Sequence, residues 1–165
     1  MPKWDIHKRW DSKFGIPPDI SDYIVKAIDS KGPSDKIIPM PQDFRRHTLE
    51  RKIPRSKGKD FSIADVYPNL HDRARSKFVQ EEDLKFLLKK GGEYVGAYYL
   101  HFMLDYLDHQ GIREWMKIAG ASVEDCIDKY ARNKAICIPE TQEALIEVIN
   151  FLKSHAQEIR RDLKL

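Results

Sequence analysis

Cysteine is nearly absent. Cys126 and Cys137 are the only two, and they fall in no CxxC or Cys/His spacing, so neither a disulfide framework nor a thiolate metal site organises the chain. Long apolar runs are missing too: no stretch approaches the roughly 18 uninterrupted apolar residues of a membrane span. The opening MPKWDIHKRW is charged where a signal peptide would be apolar, so the expectation is a cytoplasmic protein with no membrane partner. Without GxGxxG, a P-loop, GxSxG or HExxH, the dinucleotide, P-loop, serine-hydrolase and zincin chemistries have no motif to stand on. No segment alternates like a strand and none repeats at a fixed period. Charge of neither sign is scarce: 29 Lys and Arg against 26 Asp and Glu leave a net +3, which by itself names no ligand.

What the chain does have is helical periodicity. Its 165 residues are the length of one ordinary domain, and the whole of 1–165 is expected to form a single helical domain. WDIHKRWDSKF places Trp4, Trp10 and Phe14 at helical spacing before Gly15 and two prolines stop it. PDISDYIVKAID then puts Ile20, Tyr23, Ile24 and Ile28 on one stripe. From about Glu81 onward helices dominate: EEDLKFLLKK ends at Gly91-Gly92, EYVGAYYLHFMLDYLDHQ is expected to run to Gly111, and Ser122 caps SVEDCIDKYARNK. The last helix is expected to start at Pro139 and continue almost to the end, with Leu145, Ile149, Leu152, Ala156, Ile159 and Leu163 stepping like a heptad seam. Such a seam packs either inside the monomer, which is favoured, or across a homodimer formed by residues 139–165. The fold class is therefore all-α, a compact helical bundle.

One stretch breaks the pattern. Between residues 33 and 78, Pro33, Pro39, Pro41, Pro54 and Pro68 leave no room for a long element, and a long irregular basic insertion with short helical turns is expected. It carries RRHTLERKIPRSKGK, whose basic groups could neutralise the phosphates of a nucleic acid with little sequence reading, or simply face water.

Histidines and aspartates form three constellations. On YYLHFMLDYLDHQ, His101 and Asp105 are i, i+4 neighbours, and Asp108 and His109 share their side of the helix. That side is either a solvated face or a cation site. The absence of any Lys or Arg between Glu93 and Gln110 is what a cation site requires. Asp108 lies about 10 Å along the axis from His101, too far to share one ion but near enough to Asp105 for a second. In YPNLHDRARSKF, His71 and Asp72 offer mixed nitrogen and oxygen ligation, and Arg73, Arg75 and Lys77 follow at once with groups that bind phosphate. In HKRWD, His7 and Asp11 repeat the i, i+4 arrangement.

An all-helical chain with a His/Asp pair and further His and Asp residues on neighbouring helices resembles the HD-type phosphohydrolases. YYLHFMLDYLDHQ is also similar to the ligand helix of helical zinc-dependent phospholipases and nucleases. The HD resemblance implies an early His, His47 or His7, then His71-Asp72, then a distant Asp for which Asp105, Asp125 and Asp128 compete. Residues and resemblance together give the expectation of a divalent-metal-dependent phosphoester hydrolase using Mn, Fe, Ni or Zn. His7, Asp11, His71, Asp72, His101, Asp105 and His109 are its candidate ligands, and Asp72 and Asp108 its candidate catalytic carboxylates. Arg73, Arg75 and Lys77 are placed on the phosphate of a small molecule or nucleic acid. The competing expectation is a non-catalytic helical interaction protein that self-associates through its last helix or holds an acidic partner on the basic stretch.

Overall fold

The computed structural model describes residues 4–29, 40–48, 52–53, 61–62 and 77–165. Helices α1 (Trp4–Phe14) and α2 (Pro18–Asp29) meet at a turn made by Gly15, whose φ of 94° suits a residue without a side chain, and Pro18 begins α2 where its missing N–H is not needed. Trp10 on α1 and Ile20, Ile24, Ala27 and Ile28 on α2 are buried as the spacing predicts, whereas Trp4, Phe14 and Tyr23 of the same stripes are half-buried.

Within the stretch expected to be irregular, α3 (Gln42–Thr48) is a seven-residue helix anchored by the fully buried Phe44. A two-residue antiparallel pair, β1 (Lys52–Ile53) with β2 (Phe61–Ser62), sets Lys52 opposite Ser62 and Ile53 opposite Phe61. Elements this short fit the proline spacing, although the strand pair has no signal in the sequence. Arg45 and Arg46 are exposed on α3. The remainder of the basic run lies outside the described residues.

The centre of the molecule is α5 (Gly92–Asp108), preceded by α4 (Lys77–Lys90). Leu100, Met103, Leu104 and Leu107 of α5 are all fully buried, because this helix is surrounded: α1, α2, α4, α6, α7 and α8 pack against it. It stops three residues before the expected Gly111. His109 turns extended (φ −66°, ψ 133°), and its Nδ1 accepts from the N–H of Gly111 at 3.1 Å, so the histidine ends one helix and caps the next, α6 (Gln110–Ala119). Helix α7 (Val123–Asn133) opens with the reciprocal Ser122/Asp125 capping box.

The single terminal helix expected from Pro139 is three pieces: a 3₁₀ turn (Pro139–Thr141), α8 (Gln142–Ser154) and α9 (Ala156–Leu163). The break has a local cause. Ser154 Oγ and His155 Nδ1 each lie 2.8 Å from the Phe151 carbonyl oxygen, and this competition for a backbone acceptor interrupts the helical ladder. The seam is nevertheless buried at Leu145, Leu152, Ala156, Ile159 and Leu163. Val148, fully buried, takes the place expected of the half-buried Ile149. It packs within the chain, α8 on α5 and α7 and α9 on α7, as favoured. The architecture is an all-α bundle in which nearly all buried apolar side chains form one connected cluster, and no helix among the described residues is long and apolar enough to cross a membrane.

Candidate metal centre

Three helices converge on one polar cluster inside this apolar bundle. α1 contributes His7, α2 its last residue Asp29, and α5 His101 and Asp105 one turn apart. His7 and His101 are each 1% exposed and Asp29 8%. The two imidazoles stack, with centroids 3.9 Å apart and planes within 11°. His7 Nε2 lies 3.2 Å from Asp105 Oδ1, and His101 Nε2 lies 3.3 Å from Asp29 Oδ1 and 3.5 Å from Asp105 Oδ2. One ligand atom from each of His7, Asp29 and His101 falls within 4.8 Å of the others.

The cluster is electrostatically strained in a specific way. Burial disfavours a charge on His101, but the Asp105 and Asp29 carboxylates outweigh it and push the imidazole up to about 10. His7 moves the other way: burial and the positive charge of His101 lower it, only partly offset by Asp105. Burial would raise Asp105, yet His101 and His7 hold it well below the usual carboxylate range. Without an ion, one proton on His101 thus serves two carboxylates while His7 stays neutral. Neither ring nitrogen of His7 makes a hydrogen bond among the described residues, and His101 Nδ1 makes none either. Buried polar atoms without partners are uncommon in native interiors and call for a partner.

The four-residue cluster contains three residues singled out from the sequence, His7, His101 and Asp105, and one that was not. Asp29 escaped notice in VKAIDSKG because it looks like an ordinary polar residue ending a helix. The signal was its position, since a carboxylate at a helix C-terminus opposes the macrodipole and needs another reason to be there.

The remaining candidates are placed elsewhere. Asp11 is buried one turn beyond His7, where Ser21 Oγ donates to its Oδ2 at 2.5 Å, and burial pushes it up to about 6 despite that bond. Asp108 pairs with Arg113 of α6, and His109 is the exposed cap described above, so neither reaches the cluster. His47, the alternative early histidine, stacks on Phe86 at 4.3 Å between α3 and α4. Asp125 belongs to a cap and Asp128 pairs with Lys153 at 2.6 Å. Lys77 is exposed at the start of α4, 3.7 Å from Glu81. His71, Asp72, Arg73 and Arg75 lie outside the described residues.

Comparison with protein-family models, with curated proteins and with solved structures found no match.

Proposed function

We propose that His7, Asp29 and His101, with Asp105 beside them, hold one divalent transition-metal ion and that the chain is a metal-dependent phosphoester hydrolase. The observation that carries the reading is the facing of two buried imidazoles and two carboxylates at 3.2 to 3.5 Å. One ligand atom each from His7, Asp29 and His101 lies within 4.8 Å of the others, so these three can close on one ion with Asp105 beside them, and a tetrahedral shell then keeps its fourth position for water. The charge matches as well. Two neutral imidazoles and two carboxylates carry −2, which a divalent ion neutralises, and mixed nitrogen and oxygen ligation suits Mn, Fe, Ni or Zn.

An ion held there would bring water to a pKa near neutrality. The residues of the chain would do the rest. His7 and His101, nearly sealed from solvent, fix the back of the site, and Asp105, with 18% of its side chain exposed, marks the edge that solvent and substrate reach. Support for phosphoesters in particular comes from the sequence run His71-Asp72-Arg73 and Arg75. There a further candidate ligand or base is adjacent in sequence to guanidinium groups able to offset charge developing on phosphorus.

Asp29→Asn tests the reading, because it keeps an acceptor for His101 while removing one ligand charge. Hydrolysis of bis(4-nitrophenyl) phosphate or 4-nitrophenyl phosphate by metal-loaded protein should fall at least a hundredfold in this variant with its helical circular dichroism intact. Metal-loaded wild type that leaves both esters untouched would end the hydrolase reading while sparing the metal site. The competing interaction-protein reading would need a surface other than the terminal seam's buried face, or the basic stretch, to hold its partner.

A further inference from the structure

Lys164, just past the end of α9, is the only non-glycine residue among those described with a positive φ, at 55°. Glycine is the usual occupant of such a position, and a lysine persists there only when its surroundings fix it. They do. Its N–H reaches the carbonyls at the end of α9, and the Leu165 N–H bonds to Arg160 O at 2.9 Å. Arg113 of α6 donates to Leu163 O at 2.7 Å and Lys164 O at 3.3 Å. Arg113 is in turn held by the side chain of Asp108 and, at 3.1 Å, by its main-chain oxygen.

This clamp shapes a cavity of about 100 Å³ between α6 and α9, walled by Arg113, Lys117, Arg160 and Lys164, with Met116 and Ala121 supplying apolar surface. The cations form two i, i+4 pairs, one on each helix or its immediate end, facing a shared space. Elsewhere cations find carboxylates: Lys8 with Asp22, Arg9 with Asp162, Lys90 with Asp43, Lys153 with Asp128. Here, among the described residues, neither Lys117 nor Lys164 has one, and Arg160 spends only Nε, on the Leu165 oxygen at 3.4 Å. Three of the four cations, Lys117, Arg160 and Lys164, are solvent-exposed, and Lys164 stands in an unfavourable backbone conformation.

We propose that this cleft binds the phosphate group of a small-molecule ligand. Four cationic side chains around one small space suit a single tetrahedral oxyanion. Arg160 has two terminal nitrogens for a bidentate contact, and Lys117 and Lys164 add point charges from either side. The inference does not rest on the metal centre, whose ligands are on other helices.

Titration calorimetry of chelator-treated protein with inorganic phosphate at low ionic strength tests it. The expected result is one site per chain, weakened at least tenfold in Lys117→Gln/Arg160→Gln and unchanged in Lys134→Gln, an exposed cation at the end of α7. Lys164→Gly separates ligand binding from structure: it should weaken phosphate several-fold while thermal stability holds or rises, because glycine accepts the left-handed conformation. Absence of phosphate binding, or binding untouched by the double substitution, would overturn the proposal. So would a single-stranded oligonucleotide that binds through these residues when phosphate does not, an outcome pointing to a nucleic-acid backbone.

Discussion

His101 carries the most interactions of any side chain in the cluster, and its removal should be costly in a way that depends on pH. His101→Ala leaves Asp29 and Asp105 facing each other in a nearly dry interior, and breaking a buried charge network in this way costs about 3 to 5 kcal/mol. Urea denaturation at pH 7 should show a loss of that order, shrinking at acid pH where the carboxylates protonate. Asp11 gives the opposite sign. Its folded pKa of about 6 exceeds the 3.8 of a free carboxyl, so the stability it contributes is fully present below pH 3.8 and is lost as pH rises through 6. Asp11→Asn, which retains an acceptor for Ser21, should therefore stabilise the protein at pH 7 to 8, by at most about 3 kcal/mol, and flatten the stability profile between pH 4 and 6. Equal pH profiles for variant and wild type would contradict the assignment. At this scale the sequence was legible where spacing does the work: His101 and Asp105 are neighbours on any helix. His7 and Asp29 join them only through tertiary packing, which no local pattern encodes. Asp108 and His109 look equivalent to Asp105 by angle alone, but the chain turns at His109 and carries both away.

The elements are better recorded in the sequence than the site is. Apolar stripes, glycine stops and caps locate α1, α2, α5 and α7 nearly as they stand, while α4 begins at Lys77, four residues before the expected Glu81. The other errors lie where a side chain competes with the backbone: the cap at His109 and the break at Ser154-His155. Ser122→Ala should remove the hydrogen bonds of the Ser122 hydroxyl, leave the Ser122 N–H bonded to Asp125, and cost about 1 kcal/mol in denaturant-induced unfolding. The terminal seam offers a stronger test. Ile159 is fully buried within the chain, so Ile159→Asp buries an unpaired charge and should lower stability by at least about 3 kcal/mol. The midpoint should be the same at low and high protein concentration. A concentration-dependent midpoint, with a dimer that the substitution turns into a folded monomer, would mean that the seam is shared between chains.

At the scale of the whole molecule, a continuous apolar core encloses a polar cluster that contributes less to stability than apolar packing of the same volume would. Three helices from the beginning and middle of the chain each give up core surface to it, and α5, the most heavily buried of them, supplies two of its four members. The proposed ion would account for a polar centre that an apolar core does not need for its own packing. Elemental analysis of protein purified without chelator or metal-affinity tag, and then offered Mn, Fe, Ni or Zn and freed of excess, tests that most directly. The account predicts near-stoichiometric metal in wild type and its loss in Asp29→Asn that remains folded. Folded wild-type protein that arrives metal-free and retains none of the four ions would contradict it.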